Sequence, residues 1–228
     1  MPDFAAFAKK LNLSFANLAL LQEALTHRSF LNENRGVVSA HNERLEFLGD
    51  AVLELAVTHF LFLKFPTKQE GELTVYRAAL VNTQSLAHVA DALGVNPMLL
   101  LSRGEAKDTG RARQIILANA LEAIIGAVYL DQGYAAADTF LAAHLYPKIE
   151  KVVSEGTWQD AKSRFQEIAQ EREGITPSYE TLDEHGPDHD KHFTVGAFIG
   201  EREVARGEGK SKQEAEQSAA ENALDKVR

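Results

Sequence analysis

Cysteine is absent from the 228 residues. That absence excludes a disulfide framework, a thiolate zinc site, an iron–sulfur cluster and a thiol nucleophile, and it points to a reducing, cytoplasmic setting. Positive charge is also scarce. Lys and Arg number 24 against 33 Asp and Glu, a formal net charge of −9. A summed field of that sign does not gather polyanions, so any phosphate binding has to come from local patches. Dividing the chain at Trp158 leaves net −3 before the cut and net −6 after it. The opening Met1-Pro2-Asp3-Phe4 carries an acid where a secretory leader carries positive charge. No apolar run approaches the roughly 20 residues that span a bilayer, so neither secretion nor a membrane role is expected. The 15 Gly and 6 Pro are scattered, and 45% of residues are hydrophobic. This is a globular composition, long enough for one domain and a small second one.

Residues 1–150 read as an all-α domain. Apolar residues recur at helical spacing near 3–11, 16–25, 41–63, 72–93, 111–131 and 135–150, with Gly, Pro or Asn at the breaks between them. Periodicity lapses over 151–158, which reads as a linker. From 159 to 228 the period changes. A helix at 160–173 precedes three strand candidates, 178–184, 191–199 and 202–207, and a helix at 211–226 closes the chain. Phe193, Val195, Ala197 and Ile199 alternate as a half-buried strand requires. Ala215, Ala219, Ala223 and Leu224 give the last helix a face of mostly small residues. The expected fold is an all-α domain followed by a small α+β domain of order α-β-β-β-α.

The most informative stretch is His41-Asn42-Glu43-Arg44-Leu45-Glu46-Phe47-Leu48-Gly49-Asp50. Steps of three and four stack Glu43, Glu46 and Asp50 on one helix face, and Glu54 extends the row. Like charges at that spacing repel. A second helix, Leu117 to Asp131, holds Asn119 and Glu122 on one face amid apolar residues, and a polar pair there needs a partner. If the two helices pack, the oxygens converge into a site of the Mg²⁺ type. A solvated acidic face, a hydrogen-bond network, or pairing with Arg44, Arg77 or Arg111 accounts for the same spacing. Spacing alone leaves these readings open.

The run from Asn42 to Asp50 resembles the signature motif of the ribonuclease III family, and Leu117 to Asp131 resembles its second acidic helix. Leu25-Thr26-His27-Arg28-Ser29, Glu70-Gly71-Glu72-Leu73-Thr74 and Arg77 to Asn82 join the match. The 160–226 segment resembles a double-stranded RNA-binding domain. The resemblance implies a homodimeric, Mg²⁺-dependent endoribonuclease, Mn²⁺ substituting, that cuts double-stranded RNA and leaves short 3′ overhangs in processing ribosomal RNA precursors and other transcripts. It places metal ligands at Glu46, Asp50, Asn119 and Glu122, with Asp50 and Glu122 catalytic. Glu43 and Glu70 stand as supporting acidic residues near a dimer junction. The family pattern has Asp where this chain has Asn119, which removes one charge and keeps a coordinating oxygen. That departure motivates a second reading, a double-stranded RNA-binding protein with impaired cleavage. A hydrolase of other phosphate esters is a third, but it leaves the RNA-binding module without a purpose.

Lys210 and Lys212 flank Ser211 where the last helix begins, and a helix N-terminus with two lysines makes a local phosphate clamp. The family pattern has a further lysine where this chain has Gln213, so weaker binding is expected. Gln166 and Glu167 match family positions facing the minor groove. His189, in the turn Gly186-Pro187-Asp188-His189-Asp190, matches a loop that enters it. His185, His189 and His192 otherwise read as turn and strand-edge residues, and Trp158 as a linker residue packing on a domain.

Overall fold

The computed structural model describes residues 1–34, 36, 40–155, 161–187 and 191–227. They divide into two units, Met1–Glu155 and Gly156–Arg228.

The first unit is helical: α1 Phe4–Lys10, α2 Leu18–Ala24, α3 Arg28–Glu33, α4 Glu43–Lys64, α5 Glu70–Val81, α6 Thr83–Leu93, α7 Arg111–Gln132, α8 Tyr134–His144 and α9 Lys148–Glu155. α4 and α7 pack along each other and set the frame. Among the buried residues between them and their neighbours are Leu45, Val52, Leu53, Leu121, Ile124, Ile125 and Val128. By length and composition α7 is apolar enough to cross a bilayer, contrary to the expectation that no apolar run comes near that length. Here 61% of that stretch is buried inside the domain, as for a core helix.

Three boundaries differ from the periodicity. The segment expected as one helix over 72–93 is two, because Asn82 ends α5 and begins α6 with ψ 157°. Its Nδ2 donates to the Ala78 and Ala79 carbonyls while its Oδ1 accepts from Ser85 N–H, so one side chain satisfies both helix ends. The segment expected over 135–150 also breaks, at Leu145-Tyr146-Pro147, where proline has no N–H to continue the helix. α9 then runs through Lys151–Glu155, so the segment read as a linker begins within a helix. α3 went unread because it buries no residue and shows no apolar period.

In the second unit α10 (Ala161–Glu173) is followed by β1 (Ser178–His185), β2 (His192–Ile199), β3 (Arg202–Gly209) and α11 (Lys212–Lys226). The sheet is antiparallel with order β1-β2-β3. Phe165, Val195, Ala197, Ile199, Ala215, Ala219 and Ala223 form its core. The small face of α11 matters because β3 runs against it. A Cβ on Gly207 would lie 2.0 Å from Ala219 N, so only glycine allows the approach.

Candidate active site and nucleic-acid interface

The acidic residues meet where α4 crosses α7. A Cβ on Gly49 would lie 1.8 Å from the Glu122 carbonyl oxygen, and one on Gly126 would lie 2.3 Å from the Leu45 carbonyl oxygen. Two glycines thus let the backbones touch, and Glu46 and Asp50 on α4 come beside Asn119 and Glu122 on α7. Glu46, Asn119 and Glu122 are half-buried and Asp50 is exposed.

The electrostatics report that convergence. Burial pushes the Glu122 carboxyl up to about 7, and the charges of Asp50 and Glu46 add to the push. Glu46 is also held above the ordinary carboxylate range, first by burial and then by Glu43, while a hydrogen bond donated by the Asn119 amide works the other way. Among the described residues no Lys or Arg pairs with Glu46, Asp50 or Glu122. Arg77, a candidate for that role, bonds Glu54 at 2.9 Å and Thr58 at 2.9 Å. Glu54 therefore belongs to a helix-to-helix ion pair and not to the acidic row.

The donor set suits a hard divalent cation: carboxylate oxygens and one carboxamide, with repulsion that no Lys or Arg among the described residues relieves. Among the described residues no three His, Asp or Glu side chains stand gathered as a preformed metal cluster.

Glu43 lies apart from this group in its contacts. Arg28 reaches it at 3.4 Å and His41 at 3.9 Å, two partners that the sequence reading did not assign. Glu70 opens α5 on the wall of a cavity of about 470 Å³ shared with Thr58, Phe62, Leu73 and Arg77. Among the described residues no hydrogen bond or ion pair joins Glu70 to Glu46, Asp50 or Glu122.

In the second unit Gln166 and Glu167 line an open groove of about 420 Å³ together with Ser163 and Gln170. The last two were missed, although steps of three and four along α10 place them on the same face. At the start of α11 the Ser211 Oγ accepts from Glu214 N–H at 3.1 Å, and the Glu214 carboxylate accepts from Lys210 N–H at 2.8 Å. The helix end is therefore already capped, and Glu214 puts negative charge where a phosphate would approach. Lys212 lies 5.8 Å from the centre of the Phe193 ring. His185 stacks on His192 at 5.7 Å, with Asp183 3.3 Å from His185. His189 and Trp158 lie outside the described residues. The lysines give a checkable consequence. On the expectation that Lys212 clamps a phosphate, Lys212→Ala should weaken duplex RNA binding at every sequence and lower the slope of log K against log salt by about 1, as loss of one phosphate contact does. Binding titrations at several salt concentrations measure it.

Comparison with known proteins fits both units. Residues 17–149 match the family described as Ribonuclease-III-like, and residues 161–227 match the double-stranded RNA binding motif. Ribonuclease 3 of Bdellovibrio bacteriovorus is 46% identical over 92% of this chain and 90% of its own length. The chain belongs to the ribonuclease III family. Ribonuclease 3 of a Geobacillus species is 47% identical over 99% of this chain and 91% of its own length. Among solved structures, the nuclease domain of ribonuclease III from Campylobacter jejuni superposes with a TM-score of 0.57 at 42% identity, covering 65% of this chain and 97% of that one. Membership makes this ribonuclease III family chain an endoribonuclease, a hydrolase with a double-stranded RNA-binding module at its C-terminal end.

Proposed function

We propose that this enzyme cuts double-stranded RNA as a Mg²⁺-dependent homodimer, Mn²⁺ substituting, leaves short 3′ overhangs, and matures ribosomal RNA precursors and other transcripts in the cytoplasm. The observation that carries the reading is the meeting of Glu46 and Asp50 with Asn119 and Glu122 at the Gly49–Gly126 crossing, with Glu122 pushed up to about 7 and no basic partner among the described residues. Glu46, Asp50 and Glu122 would hold the cation, and Asn119 would add its amide oxygen while its N–H steadies Glu46. A divalent cation there supplies charge for the developing phosphate oxyanion and lowers the pKa of water. Asp50 is the exposed member of the group. No side-chain nucleophile is required.

Dimerisation is supported by Phe47, 82% exposed on the helix that carries Glu46. The Campylobacter jejuni relative is described by a region involved in dimer formation. Of its apolar neighbours on α4, Leu48 is half-buried and Leu45, 4% exposed, serves the core. A monomer at micromolar concentration in analytical ultracentrifugation contradicts this part.

The substrate test offers duplex RNA, single-stranded RNA, duplex DNA and nucleotide phosphate esters side by side. Cutting of duplex RNA alone is expected, and equal turnover of nucleotides overturns the reading. The second reading, a duplex binder with impaired cleavage, is favoured by one observation: the Asn119 amide that hydrogen-bonds Glu46 stands where the family pattern has a carboxylate.

Cation binding is also expected to depend on pH. Glu122 titrates at about 7, and only its carboxylate form is a ligand, so affinity rises as pH rises through neutrality and binding releases protons. Calorimetry at pH 7 in two buffers of different ionisation enthalpy measures that release. Identical apparent enthalpies contradict it.

A further inference from the structure

The starts of α4 and α7 are linked by a hydrogen-bonded circuit lying outside the acidic cluster. The strip Leu25-Thr26-His27 serves both sides of it. On one side the Thr26 carbonyl accepts the N–H of Asn42 at 2.9 Å, and the Asn42 carbonyl accepts the N–H of Glu46 at 2.8 Å. Thr26 is 0% and Asn42 2% exposed. On the other side Leu100 N–H donates to the Leu25 carbonyl at 2.8 Å, and His27 N–H donates to the Leu100 carbonyl at 3.0 Å.

Side chains extend the circuit. Ser102 N–H donates to Ser29 Oγ at 3.0 Å, and Ser29 Oγ lies 2.8 Å from His27 Nδ1. The N–H of Ser29 reaches the same ring nitrogen at 3.3 Å. A hydroxyl that accepts from Ser102 has its own proton free for His27, and an Nδ1 that accepts belongs to the neutral ring protonated at Nε2. Burial holds His27 below the ordinary imidazole range, in keeping with that form. Beyond Ser102, Glu105 N–H donates to Ser102 Oγ at 3.2 Å, and the Glu105 carbonyl accepts from Arg113 Nη2 at 2.5 Å. Arg113, 8% exposed, sits on α7 six residues before Asn119 and also bonds Asn96 and the Asp108 carbonyl.

We propose that His27 and Ser29 are positioning residues for RNA cleavage: their hydroxyl–imidazole contact fixes the segment around Ser102, and through it α7, against the first turn of α4, so that Asn119 and Glu122 meet Glu46 and Asp50 in register. Neither residue touches the reacting atoms. The restraint matters because the carboxylates of Glu46, Asp50 and Glu122 repel one another, and the hydrogen bond from Asn119 steadies Glu46 without holding Asp50 or Glu122. The inference rests on the proposed cutting site at the α4–α7 crossing.

The test compares the full native chain, Ser29→Ala and Ser29→Thr at a temperature where circular dichroism shows all three folded. Steady-state kinetics on an RNA duplex in saturating Mg²⁺ are read beside amide hydrogen exchange without metal or RNA. Ser29→Ala is expected to lower kcat by about tenfold or more with KM within about twofold, the pattern of a displaced catalytic constellation. Faster exchange should be confined to residues near 42–46 and 100–105, and Ser29→Thr, which keeps the hydroxyl, should restore kcat to within about threefold. An unchanged kcat in Ser29→Ala, an equal loss in Ser29→Thr, or faster exchange throughout the nuclease unit overturns the inference. A native chain that cuts no duplex overturns the proposed function instead, so the two failures are distinct.

Discussion

Gly49→Ala is expected to destabilise the nuclease unit by about 3 kcal/mol or more, the upper range for forcing a group into a packed contact. The new Cβ would lie 1.8 Å from the Glu122 carbonyl oxygen and 2.9 Å from Gly126 N, and both are backbone atoms that no rotamer change can remove. The helices have to separate, and that separation takes Glu122 away from Asp50. Gly71→Ala is the control. Nothing lies within 4 Å of its Cβ position on α5, so it should be neutral or stabilise by up to about 1 kcal/mol through helix propensity. Thermal unfolding of the two variants reads the contrast, with a fall of roughly 10 °C for Gly49→Ala. Equal midpoints would mean that the crossing is not the tight contact described.

Glu122→Gln is expected to lower duplex cleavage by about 10³-fold, the scale for losing a group that serves transition-state charge. Duplex affinity should stay unchanged, because the match to the double-stranded RNA binding motif lies in residues 161–227, outside the unit that holds Glu122. Stability should move the opposite way. Glu122 has a folded-state pKa of about 7, above the 4.5 of an ordinary glutamate. Protonation therefore favours the folded state, and stability is lost as pH rises from the unfolded value through the folded one. At pH 8 without metal the native carboxylate carries that penalty in full, and glutamine does not. A variant more stable than the native chain and nearly inactive is the signature of a residue kept for function. A Glu122→Gln protein that cuts normally would remove Glu122 from the site.

Much of this was legible in the residues. The all-α unit followed by α-β-β-β-α order, and the pairing of the two acidic helices as candidates, came from period and spacing. What escaped was set by contacts between elements. The split at Asn82 depends on a side chain serving two helix ends, which periodicity does not register. α3 buries nothing and so leaves no apolar trace. Glycine at 49 and 126 reads as a weakness in a helix until the facing backbone is known. The assignment of Arg77 to Glu54 needed geometry, since Arg44, Arg77 and Arg111 were equivalent candidates by spacing. Ser163 and Gln170 were within reach of the α10 pattern, and Glu214 at the start of α11 was visible as an acid in a capping position.

Asn119 is where sequence and structure press hardest on each other. Its amide donates to Glu46, so Asn119→Asp would both lose that bond and add a charge to a repelling group. Without a cation the change is unfavourable. With one it adds a full carboxylate ligand. The account therefore predicts opposite effects on the metal-free and metal-loaded protein, which makes the position diagnostic.

The most direct measurement is cleavage of a long perfect RNA duplex across a Mg²⁺ titration by the native chain and by Asn119→Asp. The account predicts that both cut the duplex and that the Asp form saturates at lower Mg²⁺. If the native chain binds the duplex and stays inactive at every Mg²⁺ concentration while Asn119→Asp cuts, the chain as it stands is a duplex binder with a disabled site, contradicting the proposed activity. If neither form cuts, the convergence of Glu46, Asp50, Asn119 and Glu122 is not the cutting site.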